Sequence, residues 1–184
     1  MPRLFLISLA AMVLWTCGKD KAAEREPEPH PLVGVWQSSD LDVTGLGNAL
    51  VSYLTDEMTR NNDENPAAIA ENLAAIMTDS INADFNLRIE IKGNGTWVAT
   101  DGSTGTWKVQ SGNTLIMTDV LNASTVATIF TISGQRLSLS IRKAAYINIM
   151  KATGDQEAQE IFEAILSGTA ETAEVMQWRF TKVS

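Results

Sequence analysis

One cysteine and one histidine occur in 184 residues. A single thiol excludes a disulfide framework, an iron–sulfur cluster and a cysteine-rich zinc site, each of which needs several thiolates. A single imidazole excludes multi-histidine metal centres and most Ser-His catalytic arrangements. Basic side chains are also scarce: 14 Lys and Arg stand against 22 Asp and Glu, a net charge of −8. A nucleic-acid partner is therefore not expected, because phosphate binding needs a basic stripe. No Gly-x-Ser-x-Gly elbow and no phosphate-binding glycine loop occur. The paired carboxylates, Asp40 with Asp42, Asp56 with Glu57, Asp63 with Glu64 and Asp155 with Glu157, fall near helix ends or in loops, where helix capping accounts for them. Asp101-Gly102-Ser103-Thr104 supplies too few oxygens for calcium. The expectation is a protein that is not an enzyme and needs no cofactor or metal.

What is present is alternation. Phe85, Leu87, Ile89 and Ile91 interleave with Asn86, Arg88, Glu90 and Lys92, a strand with one wet face. Similar runs cover 32–39, 96–100, 106–110, 114–120, 124–132, 136–143 and 175–183, most of them separated by turns rich in Gly, Asn or Asp. Eight strands, six of them in one unbroken meander, predict a mainly β fold: an eight-stranded antiparallel barrel closed on itself to remove its edges. Gly95-Thr96-Trp97 recurs as Gly105-Thr106-Trp107, which reads as a repeated hairpin register with each Gly ending a turn. Helical period appears in Leu46, Leu50, Val51, Leu54 and Met58, and in Ile69, Leu73, Ile76 and Met77 behind an Asn65-Pro66 start, so a helix pair is inserted between strands 1 and 2. A further helix, 155–166, precedes the last strand, with 146–151 either extending it or forming a separate turn.

The first sixteen residues read as an address. Met1-Pro2-Arg3 is a short basic start, and Leu4 to Trp15 is apolar except for Ser8. Such a run is too short for a spanning helix of roughly 20 residues and suits a secretory signal. It leads into Leu14-Trp15-Thr16-Cys17, which resembles the lipobox of bacterial lipoproteins. That resemblance implies lipidation of Cys17, including palmitate, and attachment to a membrane of the cell envelope. Gly18 stands where Asp would signal inner-membrane retention, which favours the outer membrane. Residues 17–31 then form the lipidated Cys and a charged, Pro-containing tether with a reach of about 45–50 Å. His30 belongs to this tether and reads as solvated. Residues 32–184 form the barrel domain.

Leu32-Val33-Gly34-Val35-Trp36 and the two Gly-Thr-Trp strands are similar to segments of bacterial lipocalin-like, calycin-type lipoproteins. The resemblance implies a calycin-like barrel with an apolar small molecule as cargo. It also implies that Trp36 plugs one end of the barrel, with Arg179 stacked over its ring. The Thr-Asp-Tyr motif and the disulfide of typical lipocalins are missing, and the helix pair looks more like the lid of fatty-acid-binding proteins.

Alternation selects the candidate ligand-binding interior: Trp36, Phe85, Leu87, Ile89, Trp97, Trp107, Met117, Phe130, Leu139 and Trp178. These side chains either line a cavity or fill the barrel, since eight strands permit both. The leading expectation is a membrane-tethered envelope lipoprotein that binds or carries a small hydrophobic ligand. The alternative is a non-enzymatic module that binds an envelope protein or a glycan by its outer surface, which predicts an exposed apolar patch.

Overall fold

A computed structural model describes residues 28–83, 86–121 and 124–183. The expected signal segment 1–16, Cys17, the expected tether up to residue 27 and Phe85 lie outside the described residues. Eight strands and four helices occur within the described part. The strands are β1 (Gly34–Asp42), β2 (Arg88–Ile91), β3 (Thr96–Ala99), β4 (Thr104–Val109), β5 (Thr114–Asp119), β6 (Thr125–Ser133), β7 (Arg136–Arg142) and β8 (Glu174–Lys182). Each pairs antiparallel with the next, and β8 pairs with β1, so the sheet closes into an up-and-down barrel without a free edge. This is the expected architecture.

The helices are α1 (Thr44–Arg60) and α2 (Pro66–Ala83) between β1 and β2, then α3 (Lys143–Thr153) and α4 (Gln156–Ile165) between β7 and β8. The segment 146–151 is thus part of a helix of its own, ended by Gly154 in the left-handed conformation. α4 starts at Asp155, whose carboxylate accepts from the Ala158 amide at 2.9 Å. All four helices leave from the barrel end that carries Asp42, Arg142 and Glu174.

A bulge in β1 sets which side chains face in. Register with β8 shifts between Ser38 and Asp40, so the inward set is Trp36 and then, past the extra residue, Leu41 and Val43. The same shift turns Asp40 and Asp42 outward.

Two apolar clusters result. One fills the barrel end at which Leu32 enters, with Leu32, Trp36, Ile91, Leu115, Leu137, Leu139 and Phe180 almost fully buried. The other joins the helices to the opposite end, through Leu46, Leu50, Tyr146, Ile147, Ile165, Leu166 and Val175. Trp178 packs against both. Every described element and both clusters lie between Leu32 and Lys182, so a chain beginning at Gly18 retains all of them.

Candidate functional site

The inward rows of the strands do not fill the barrel uniformly. Where the two clusters meet, a cavity of about 290 Å³ remains. Its walls are Leu87 and Ile89 from β2 and its approach, Trp97 and Ala99 from β3, Met117 from β5, Val126 and Thr128 from β6, and Trp178 from β8. Ile149 and Ala152 of α3 close it from the helical side, and Asp101, Ser103, Asp119 and Ser124 stand at its polar margin. Asp101 is exposed and the other three are half-buried, so the cavity reaches solvent there. Its volume sits at the small end of ligand pockets, which run roughly 300–1,000 Å³.

Of the ten interior candidates, Leu87, Ile89, Trp97, Met117 and Trp178 line this cavity. Trp36, Trp107, Phe130 and Leu139 do not; they belong to the packed end. Trp36 is buried there, donating its indole N–H to the Leu32 carbonyl at 2.8 Å. Trp107 donates to the Lys92 carbonyl at 2.9 Å. The His30 ring lies 5.7 Å from that of Trp107 and 6.2 Å from that of Phe130, so His30, read as a solvated linker residue, is exposed but packs on the barrel end.

Arg179 requires a correction. The cation over the Trp36 ring is Lys182, with Nζ 5.3 Å from the centroid and donating to the Val33 carbonyl at 2.9 Å. The reason is strand parity: Trp178, Phe180 and Lys182 share the inward face, and Arg179 lies on the other. Outside the barrel, Arg179 bridges Asp40 at 2.5 Å and Asp42 at 2.6 Å, while its Nε donates to Gln177 at 2.7 Å. Asp42 has a lowered pKa, through hydrogen bonds from Thr44 and then the charge of Arg179. Its contribution to stability is present above the ordinary carboxylate range and is lost as pH falls through the lowered value.

The Gly-Thr-Trp repeat also changes meaning. Gly95 has φ +83° and makes the turn, but Gly105 lies within β4, opposite Trp97. A Cβ on Gly105 would stand 1.9 Å from the Thr118 carbonyl oxygen and 2.6 Å from the Trp97 indole nitrogen. Glycine there leaves room for the Trp97 indole against β4, beside the cavity, where it donates to the Thr106 carbonyl at 3.2 Å.

The helix pair behaves otherwise than its pattern suggests. α1 buries Leu46 and Leu50 as expected. α2 instead buries Ala70 and Ala74, leaving Ile69, Leu73, Ile76 and Met77 exposed, Ile76 at 64%. Small residues allow α2 to approach its neighbours closely, and the larger side chains remain on the far side. Neither helix touches the cavity; its helical wall is α3.

Ser140-Ile141-Arg142-Lys143 has Ser-x-x-Lys spacing, but Ser140 Oγ accepts from Gln177 at 3.2 Å while Lys143 donates to the Thr169 carbonyl and pairs with Glu171. Among the described residues, no group of three or more His, Cys, Asp or Glu is placed to hold a metal, and no helix is long and apolar enough to cross a membrane.

Fold and interior together define the class: a closed eight-stranded antiparallel barrel, packed at one end, hollow near the other and capped by helices. Compared with protein families, curated proteins and solved structures, the chain matches none.

Proposed function

We propose that this protein is a non-enzymatic binder of a small hydrophobic molecule, held in the barrel and tethered to the outer membrane of a bacterial envelope by lipidated Cys17. The observation that carries the binding reading is the cavity of about 290 Å³, whose walls are chiefly aliphatic and aromatic. The likeness of Leu32 to Trp36 to lipocalins, and of the Cys17 region to a lipobox, supports cargo and tether respectively. Native mass spectrometry of residues 18–184, purified without detergent, tests the first part. Discrete adducts that vanish on denaturation are expected, and Ala99→Trp, which fills the cavity, should remove them. Protein that stays ligand-free after exposure to an envelope lipid extract would refute the reading.

A second reading rests on α2. Ile69, Leu73, Ile76 and Met77 form one exposed stripe at helical spacing, the patch an interaction module would show. Aliphatic and without rings, it suits a groove on a protein better than a sugar.

A further inference from the structure

Inward rows on four consecutive strands change character at the same end of the barrel. Along β3 the row is Trp97, Ala99 and, one step beyond the strand, Asp101. Along β4 it is Trp107, Gly105 and then Ser103. On β5 it runs Leu115, Met117, Asp119, and on β6 Phe130, Thr128, Val126 and then Ser124. The last residue of each row lines the cavity. An apolar chamber therefore ends in a collar of two carboxylates and two hydroxyls.

The collar is ordered by the turns that carry it. Asp101 Oδ1 accepts from the Ser103 amide at 2.9 Å, and Asp119 Oδ1 accepts from the Leu121 amide at 2.7 Å. Deeper in, the Thr128 hydroxyl makes a long bond of 3.5 Å to the Leu115 carbonyl. Among the described residues, no Lys, Arg or His lines the cavity. A fatty-acid anion would bring a third carboxylate beside two others without a counter-ion, and like charges in a partly desolvated site repel. A cationic head meets the opposite situation: two carboxylates and hydroxyl oxygens at the mouth of the same chamber.

We propose that the cavity selects a small apolar amine, with its hydrophobic body between Trp97, Met117, Ile149 and Trp178 and its ammonium at Asp101 and Asp119. This rests on the cavity-binding reading and adds the chemical class of the cargo. The collar decides the head group; the chamber decides only that the body is apolar and short.

Residues 18–184 titrated at low ionic strength with octylammonium, octanol and octanoate, read by calorimetry and by tryptophan fluorescence, provide the test. Octylammonium is expected to bind at least tenfold more tightly than octanoate, with octanol between them. Asp119→Asn and Asp101→Asn should each weaken octylammonium severalfold and leave octanol unchanged, which also shows that the variants are folded. Ala99→Trp should abolish all three. Octanoate binding as tightly as octylammonium overturns the amine assignment and leaves the cavity reading standing. Octylammonium that binds equally well to Ala99→Trp is held by the acidic surface, and that too overturns it. If none of the three binds, the cavity reading falls and the amine assignment falls with it.

Discussion

A single hydrogen in place of a methyl group holds the cavity wall in position. Gly105 lies opposite Trp97, and any Cβ there meets backbone on one side and the indole on the other. The nearer clash is with a backbone oxygen of the paired strand, so the β4–β5 pairing must shift as well as the ring. Gly105→Ala is therefore expected to destabilise the fold by about 1–3 kcal/mol, the usual range for overpacking. Urea denaturation measures that loss, and a change in tryptophan emission reports the displaced ring. Gly95→Ala, by contrast, strains a turn whose φ is +83° and leaves the chamber alone. The two glycines of the repeat thus do different work, one conformational and one steric. Sequence spacing made them look alike, because only the paired strand shows what lies against each.

Helix α2 sets composition against placement. Its strongest helical-period signal is Ile69, Leu73, Ile76 and Met77, yet the face turned inward carries Ala70 and Ala74. Periodicity identifies a face but not its neighbour, and here the face packed against the rest of the molecule is the alanine one. Leu73→Glu with Ile76→Glu should change stability by no more than about 0.5 kcal/mol, as exposed substitutions do. Ala74→Leu, beneath the helix pair, should cost about 1–3 kcal/mol. The reverse ranking in thermal denaturation would mean that the stripe is buried. A photo-crosslinker at position 76 in living cells gives the functional counterpart. A discrete protein adduct supports the interaction-module reading, and its absence removes it. Strand β1 offers the opposite lesson, for its irregularity is visible in the spacing. Trp36 and Leu41 are five apart, an odd number, so a bulge between them is required if both are to face inward.

At the scale of the whole molecule, two clusters share Trp178, and the chamber is the seam they leave between them. The helical cluster contains Tyr146, buried with its ring 5.4 Å from Phe162 and its pKa pushed up to about 12 by burial. Below pH 10 the phenol is neutral in both folded and unfolded chains and has no effect on pH dependence. Between pH 10 and 12 the unfolded chain releases this proton and the folded chain retains it, so stability falls as pH rises. At about 1.4 kcal/mol per pH unit, the loss by pH 12 is about 2–3 kcal/mol. Tyr146→Phe should flatten that part of the stability curve relative to the parent chain, as measured by denaturant midpoints across alkaline pH. Equal slopes in the two proteins would show that the helical cluster opens before the phenol ionises.

The sequence by itself determined the strand count, the antiparallel order, the helix insertions and five of the cavity's walls, because a period of two assigns each side chain to a face. It also bore the polar ends of the inward rows, Asp101, Asp119 and Ser124, which continue the same alternation past the apolar residues. What it could not decide was height along the barrel. Trp36, Trp107, Phe130 and Leu139 have the same parity signature as Trp97 and Trp178, but only the last two border the chamber. Nor could it decide which helix closes the chamber: α3 does so, packing on β6, β7 and β8 and presenting Ile149 and Ala152 to it. Lys182 stands over Trp36 and Arg179 bridges two aspartates for the same reason: parity and register act together, and register exists only once the strands have paired.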